Sequence, residues 1–261
     1  MIAEIHNKIS ASGSNLNDRR EDLLTGDVFG SLRYLPFEVG YLPVLSRVTF
    51  RSAVDQQRWN ETISLYNCEN ADINFWEHLG QGEIDVVMSG PQRSIVGFEV
   101  KYLSWLSSDD DVSNEDTTES LENYETSINQ LATYARSLAE RSNNCFLILV
   151  APRDKGSYIV DDVTRRRIVN ESVPLGLLLW ESVYEVCLVG KDISTNHCER
   201  HLFQDLVALL EKRNLQTFTG WGIQQIVTNA SYQFQPTDVA FDWESEKVKG
   251  DLCYVFERRD R

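Results

Sequence analysis

The chain has 261 residues, 42% of them hydrophobic and 25% charged, and a formal net charge of -15 at pH 7. This length suits one large domain or a domain with an appendage, and the composition is typical of a soluble globular protein. No apolar stretch approaches the length of about 18 residues that a membrane span needs, and no apolar leader segment is evident, so we expect neither membrane insertion nor secretion.

The cysteines are five in number, scattered along the chain and partly embedded in apolar runs. An odd, scattered set does not suggest a disulfide framework, and reduced, buried thiols in a cytoplasmic protein are the expected state. The residues are Cys68, Cys145, Cys187, Cys198 and Cys253.

The N-terminal part contains one clear helical pattern. Residues 17–35 begin with Asn-Asp, which can cap a helix, and their apolar residues follow at helical spacing until Pro36 ends the pattern. Residues 37–45 are predicted to form an irregular packed segment, residues 47–51 to begin a strand and residues 73–76 to form a short strand.

A hairpin is predicted over residues 82–90 and 94–102, two β-branched and aromatic runs separated by a Gly-Pro turn. Asp85 interrupts the apolar residues of the first run. Glu99 and Lys101 are two residues apart in the second run, so both side chains lie on one face of that strand.

These three side chains match the chemistry of phosphodiester hydrolysis. Mg²⁺ or Mn²⁺ prefers oxygen ligands and commonly takes one or two carboxylates, which Asp85 and Glu99 can supply. Lys101 can orient or deprotonate the attacking water and stabilise the negative charge of the transition state. The alternative is an exposed hairpin with an ordinary Glu-Lys pair, because such a short motif often occurs by chance.

The acidic run over residues 107–119 is predicted to be a solvated loop, with the hypothesis that it imitates DNA and restrains the site. Residues 119–141 show the spacing of an amphipathic helix, on which Gln130 and Tyr134 lie one turn apart on the same face. Residues 145–150 are continuously apolar, which indicates a strand covered on both faces.

The remaining elements are less sharply defined. Residues 161–169 and 199–214 are predicted to be helices, and residues 175–180 a buried strand. Residues 181–189 fit either a helix or a strand, and residues 239–255 add strands at the sheet edge.

Two further groups of side chains invite a functional interpretation. His197, Cys198 and His201 lack a fourth zinc ligand at sensible spacing, so a structural role is favoured.

The net negative charge is unusual for a nucleic-acid enzyme, so positive charge must be concentrated locally or supplied by a basic partner subunit. The candidate clusters are Arg19-Arg20, Arg165-Arg166-Arg167, Lys212-Arg213 and Arg258-Arg259 with Arg261.

The hairpin with Asp85, Glu99 and Lys101 resembles the core of the PD-(D/E)XK nuclease superfamily, in which an aspartate and an (Asp/Glu)-x-Lys on the next strand form the metal site. Ile84 stands where that pattern often has proline. The resemblance covers about residues 15–150. It implies an α/β, restriction-endonuclease-like three-layer sandwich with a central mixed β-sheet flanked by helices, spanning residues 1–217. Residues 218–261 are then an extension packed on the same domain.

The resemblance also implies further site residues. Glu21, in the first helix, is the expected accessory metal ligand, although it also fits a plain helix acid. Glu61, Glu69, Glu77 and Glu83 compete with it, Glu83 most seriously because it shares the strand face of Asp85. Gln130 is expected to position the water or a phosphate oxygen, and Tyr134 to bind the phosphate backbone.

The implied function is a divalent-metal-dependent endonuclease that acts on DNA, with Mg²⁺ or Mn²⁺ as cofactor. The resemblance further suggests an effector of a prokaryotic anti-phage defence system, with a partner subunit that supplies recognition or activation. A homo-oligomer would place two sites for a double-strand cut. The alternatives are a non-catalytic assembly or nucleic-acid-binding subunit that retains the fold, and an enzyme acting on RNA or small nucleotides.

Overall fold

The computed structural model describes residues 16–80, 82–108 and 125–217, with side chains described from Arg20 onward. All of these residues belong to one compact unit, Met1–Phe218. They contain seven helices, α1 to α7, which are Leu16–Leu32, Tyr41–Leu45, Ala53–Ile63, Gln130–Arg141, Arg153–Arg166, Trp180–Ile193 and His197–Lys212. The five strands, β1 to β5, are Asp72–Leu79, Gly82–Ser89, Ile95–Val100, Cys145–Ala151 and Leu175–Leu179.

The strands form one mixed sheet in the order β1-β2-β3-β4-β5. β1, β2 and β3 are antiparallel neighbours, whereas β4 is parallel to β3 and β5 is parallel to β4. The helices α4 and α5 connect the parallel strands, as crossover connections require. The predicted α/β class with a mixed sheet is therefore confirmed.

Both faces of the sheet are covered by helices, as β4 shows most clearly. Every residue of β4 is buried. Phe146, Ile148 and Val150 join a core that includes side chains of α1, α3, α6 and α7. The alternate residues Leu147 and Leu149 join a second core with side chains of α4 and α5. This alternation is the reason for the continuous apolar run in the sequence.

The predicted hairpin is confirmed as β2 and β3, joined by a tight turn over Pro91–Arg93. Gln92 and Arg93 in this turn have φ values of 55° and 56°, in the left-handed region. Gly90 precedes it because a Cβ there would lie 2.2 Å from the ring of Tyr66. The strand predicted at residues 73–76 is also confirmed, as part of β1.

Several predicted boundaries were wrong in the N-terminal half. α1 ends at Leu32, before the predicted limit of residue 35. Residues 37–45 contain the short helix α2 rather than only irregular backbone. Residues 47–51 do not form a strand, because only Thr49 makes a bridge, with Leu177 of β5.

Boundaries farther along the chain also differ. The helix predicted over residues 119–141 begins only at Gln130 among the described residues, because the side chain of Asn129 caps it by accepting a hydrogen bond from the Leu131 amide. The helix predicted at residues 161–169 is α5, which starts at Arg153. Trp180 ends the predicted strand at residues 175–180 by starting α6, so residues 181–189 are helical.

The remaining sequence predictions concern the cysteines, a membrane span and segments that the structure does not describe. Cys145 and Cys187 are free and buried, as predicted, whereas the free thiols Cys68 and Cys198 are exposed, so the prediction of buried thiols was wrong for them. In the described part of the chain, no helix is long and apolar enough to cross a membrane. The acidic run from residue 109, the extension at 218–261, the strands at 239–255 and Cys253 lie outside the described residues.

Candidate active site

Asp85, Glu99 and Lys101 come together where β2 and β3 meet. The β2-β3 ladder pairs Val86 with Phe98, and one further step in this register brings Asp85 opposite Glu99. Asp85 Oδ2 accepts a hydrogen bond of 2.8 Å from the amide of Val100. Lys101 lies directly after β3, and its Nζ contacts Glu99 Oε1 at 2.7 Å. The structure therefore groups the three side chains that the sequence singled out.

Burial dominates the electrostatics of this group. It raises the pKa of Asp85 well above its usual range, and the neighbouring Glu99 carboxylate raises that pKa further. Burial also raises the pKa of Glu99, against the opposing effect of Lys101. Two carboxyl groups this close are costly to ionise together without a cation between them.

Lys101 supplies one positive charge to this pair. Burial alone would lower the pKa of Lys101, but the carboxyl groups of Glu99, Asp85 and Glu21 together outweigh that effect and leave the pKa above its ordinary value. The lysine therefore carries its charge at neutral pH. A second cation at the carboxylates would relieve the repulsion that remains between Asp85 and Glu99.

Glu21 is also at the site, but its carboxylate binds backbone. Glu21 Oε1 accepts hydrogen bonds from the amides of Tyr102, Leu103 and Ser104, at 2.8, 2.9 and 2.8 Å. Its Oε2 accepts a 2.6 Å bond from the hydroxyl of Ser104. A carboxylate has about four lone-pair positions, so the predicted ligand role of Glu21 competes with these four bonds.

Lys155, in the first turn of α5, binds the carbonyl groups of the same residues whose amides bind Glu21. Its Nζ donates to the carbonyls of Tyr102, Leu103 and Ser104. Trp180 Nε1 donates to the carbonyl of Lys101 at 2.9 Å. The backbone of residues 102–104 thus lies between the Glu21 carboxylate of α1 and the Lys155 ammonium group of α5. We call this arrangement the 102–104 clamp.

Gln130 and Tyr134 lie beside this clamp and bind each other. Gln130 Nε2 donates to the hydroxyl of Tyr134 at 2.9 Å, and that hydroxyl donates to the carbonyl of Glu83 at 2.7 Å. Gln130 Oε1 accepts from the amide of Ser107 at 3.0 Å. The predicted pairing on one helix face is present, and both side chains connect α4 to β2 and to the segment after Lys101.

The four glutamates that were predicted as alternative metal ligands to Glu21 lie elsewhere or make other contacts. Glu77 pairs with Arg141 at 2.6 Å, and Glu61 accepts a 2.9 Å bond from Gln57. Glu69 is exposed, and Glu83 lies 3.5 Å from His78. None of these contacts places a competing carboxylate at Lys101.

Two charged residues at the site were missed. Asp22 raises the pKa of Asp85, so it lies within electrostatic range of the cluster. Its position next to Glu21 in the first helix was a usable signal. Lys155 follows a buried strand and Pro152, which places it at the carboxyl edge of the parallel strands, where α/β sheets bind ligands.

One of the predicted basic clusters lies near the clamp. The guanidinium of Arg213 lies 5.7 Å from the ring centre of Tyr102, and Tyr102 donates to the Arg213 carbonyl at 2.9 Å. Arg165 and Arg166 instead form ion pairs with Asp162 on their own helix. The C-terminal cluster, at residues 258–261, lies outside the described residues.

The two histidines of the His197-Cys198-His201 group contact each other. His197 and His201 face each other across one turn of α7, with 3.2 Å between their Nε2 atoms. Cys198 is an exposed free thiol on the same turn.

The donor chemistry of the cluster suits Mg²⁺ or Mn²⁺. Among the described residues, no group of three or more His, Cys, Asp or Glu side chains is arranged to hold a metal ion. Mg²⁺ does not require such a group, because it commonly binds one or two carboxylates and completes its shell with water and substrate phosphate. Asp85 and Glu99 provide those two carboxylates at one position.

Comparisons of the chain with protein-family models, with curated proteins and with solved structures give no significant match.

Proposed function

We propose that this protein is a divalent-metal-dependent nuclease with a restriction-endonuclease-like fold, and that its substrate is DNA. The observation that carries the proposal is the buried contact of Lys101 with Glu99, beside a second carboxyl group at Asp85. The order of α1, the three antiparallel strands, α4 and β4 agrees with the resemblance seen in the sequence.

Asp85 and Glu99 would hold the metal ion. When bound, a divalent ion supplies Lewis-acid stabilisation of charge on a phosphoryl oxygen and lowers the pKa of bound water. The chain itself fixes the two carboxyl groups in position, because the Val100 amide binds Asp85 and Lys101 binds Glu99.

Lys101 supports the reaction as a fixed positive charge. Its raised pKa favours orientation of water and stabilisation of the pentacoordinate phosphorus transition state over a role as general base. A preorganised charge in a buried site is effective because it needs no reorganisation during the reaction.

Glu21 is best described as a positioning residue in this proposal. It holds the amides of residues 102–104 and thereby fixes the backbone that follows Lys101. Gln130 and Tyr134 fix the neighbouring Ser107 and Glu83. Their predicted contacts with water and phosphate would require part of this network to exchange partners when substrate binds.

Cleavage of supercoiled plasmid tests the proposal. Wild-type protein, Lys101→Ala and Glu77→Gln are incubated with Mg²⁺ or Mn²⁺, and nicked and linear products are measured. Glu77→Gln is the matched control because it changes a glutamate outside the cluster. We expect wild-type and control to cleave, and Lys101→Ala and chelator-treated protein to fail. Equal cleavage by Lys101→Ala would contradict the assignment.

A second candidate function is a non-catalytic nucleic-acid-binding or assembly subunit. The net charge of -15 favours the assembly role, because binding to nucleic-acid phosphates normally depends on local positive charge. Calorimetric titration of Mg²⁺ or Mn²⁺ into wild-type protein and Asp85→Asn separates the two candidates when no cleavage occurs. Binding that is lost in Asp85→Asn indicates an enzyme that lacks its activating partner, and absence of binding indicates the non-catalytic subunit.

The wider role follows from the resemblance alone. We propose an effector of prokaryotic anti-phage defence, in the cytoplasm, with a partner subunit that supplies recognition or activation. A basic partner would also compensate the negative charge of this chain. A homo-oligomer with two sites is the arrangement suited to a double-strand cut.

A further inference from the structure

An exposed aromatic pair lies next to the 102–104 clamp. Trp105 follows the clamped segment directly, and Tyr158 is on α5, one turn after Lys155. The ring centres are 5.6 Å apart with an interplanar angle of 82°, an edge-to-face arrangement. Trp105 is 54% exposed and Tyr158 is 62% exposed. Two large aromatic rings this open to solvent at one place are unusual on a monomer surface.

The surroundings make this pair suited to nucleic acid. The ammonium group of Lys155 lies 5.7 Å from the ring centre of Trp105 and adds positive charge. An exposed aromatic ring beside a cation is the combination that proteins use to stack a base and attract the adjoining phosphate.

The chain connection also places the pair near the proposed chemistry. Trp105 is four residues after Lys101, so the two Cα atoms are at most about 14 Å apart. This distance corresponds to a few nucleotides of a single strand. A base held at Trp105 would therefore belong to the same strand segment as a phosphate at the acidic cluster.

We infer that Trp105 and Tyr158 form a stacking platform for an unpaired nucleobase, so that the substrate carries a single-stranded segment next to the cleaved phosphate. The inference rests on the proposed nuclease function, which it extends to the form of the substrate. Bases inside a duplex are already stacked on their neighbours, and an unpaired base can leave that stack at lower cost.

Binding of two labelled oligonucleotides tests the platform. One is an oligothymidylate of about twelve nucleotides, within the range that a single-strand-binding surface covers, and the other has the same backbone without bases. Fluorescence anisotropy is measured at low salt in chelator, so that binding is read without cleavage. Wild-type protein is expected to prefer the strand with bases by about ten-fold, the effect of one stacked base.

The variants separate stacking from other roles. Trp105→Ala is expected to lose the preference, Trp105→Phe to keep most of it, and Tyr34→Ala, at an exposed tyrosine outside the site, to keep all of it. An unchanged preference in Trp105→Ala, or no preference or no binding in wild type, would overturn the inference. Light scattering supplies a further check on the role of the two rings. A lower molecular mass for Trp105→Ala than for wild type would assign the rings to an interface between protein copies, and this result would also overturn the inference.

Failure of the platform and failure of the nuclease proposal have different readouts. Plasmid cleavage without a base preference removes the platform and leaves the nuclease. A base preference that depends on Trp105, in a protein that neither cleaves with a divalent ion nor binds one, leaves the platform and removes the nuclease.

Discussion

Two ion pairs of the same chemistry occupy contrasting regions of this protein. Lys101 and Glu99 are 2.7 Å apart with side-chain exposures of 6% and 2%, whereas Arg141 and Glu77 are 2.6 Å apart with exposures of 44% and 29%. The first pair lies at the end of the hairpin with Asp85 beside it, and the second bridges β1 and α4 at the surface. Distance alone does not distinguish them.

The difference in burial changes what each ion pair contributes to the stability of the fold. An exposed pair contributes little, because water and salt screen it and both side chains lose rotamer freedom. A buried pair carries the desolvation of both ions, so removal of one partner leaves an uncompensated charge. A fold that needed only stability would favour apolar side chains at Glu99 and Lys101, and their presence supports a functional reason for the buried pair.

The largest effect is expected for Lys101→Ala. It leaves Glu99 and Asp85 in a buried site without their cation, so we expect the free energy of unfolding to fall by about 3–5 kcal/mol. Urea denaturation followed by circular dichroism measures this change. Lys101→Met, which retains the side-chain volume, shows how much of the loss is packing. A loss below about 1 kcal/mol for Lys101→Ala would mean that the buried pair behaves like the exposed one.

Divalent ions are expected to stabilise the buried region next most strongly. At a Mg²⁺ concentration about 100 times the dissociation constant, the stabilisation is about 2.7 kcal/mol, which raises Tm by about 5–10 °C. Differential scanning fluorimetry measures the shift, and Asp85→Asn should abolish it. Glu77→Gln, in the exposed pair, should retain it in full. An equal shift in Asp85→Asn and wild type would exclude Asp85 as a ligand.

Glu21→Gln tests the backbone contacts beside the buried pair. Hydrogen bonds to a charged acceptor contribute about 1.5–3 kcal/mol, and the amide side chain of Gln offers only one acceptor oxygen. We expect faster hydrogen exchange at the amides of residues 102–104 and a loss of about 2 kcal/mol in stability. Glu38→Gln, at an exposed glutamate, is the control. Unchanged exchange at these amides would show that Glu21 does not hold the segment.

Asp85→Asn is expected to change the pH dependence of stability in metal-free protein. Burial raises the pKa of Asp85 above its ordinary value of 3.8, so the folded state keeps a proton that the unfolded chain has released. The free energy of unfolding therefore falls as pH rises from 3.8 through the raised pKa. Asn at this position does not ionise, so the fall in the free energy of unfolding that Asp85 causes is absent in the variant. Its Tm at neutral pH should therefore exceed that of the wild type by a few degrees. Identical Tm profiles against pH for both proteins would argue against a raised pKa.

The smallest effect is expected at the exposed pair. Glu77→Gln and Arg141→Ala should each change the free energy of unfolding by less than about 1 kcal/mol. The change should shrink further at high salt, because screening acts on exposed charges. A loss as large as that of Lys101→Ala would remove the contrast between the two regions.

The sequence revealed the parts of this fold that depend on neighbours in the chain. The hairpin was predictable because a Gly-Pro turn separates two short apolar strands, and β4 because it is apolar throughout. Asp85 and Glu99 lie within that hairpin and Lys101 directly follows it, so their proximity followed from strand periodicity and register.

The rest depends on contacts between distant segments or on a single capping residue. The helical spacing before Gln130 gave no warning that Asn129 would start the helix. Thr49 bridges to Leu177, a pairing that no local pattern contains. Lys155 reaches the carbonyls after Lys101 only because β3 and β4 are parallel neighbours. Such contacts arise from tertiary structure, which overrides local propensity.

The 102–104 clamp has a consequence for how this protein varies between species. Glu21 and Lys155 bind opposite edges of the same peptide groups, one through N–H groups and the other through carbonyls. Loss of either charge weakens a segment that the other still orders, so substitutions at the two positions should be correlated among orthologues. A search profile that joins Glu21, the Glu-x-Lys triplet and Lys155 would separate true relatives from chance occurrences of the short motif.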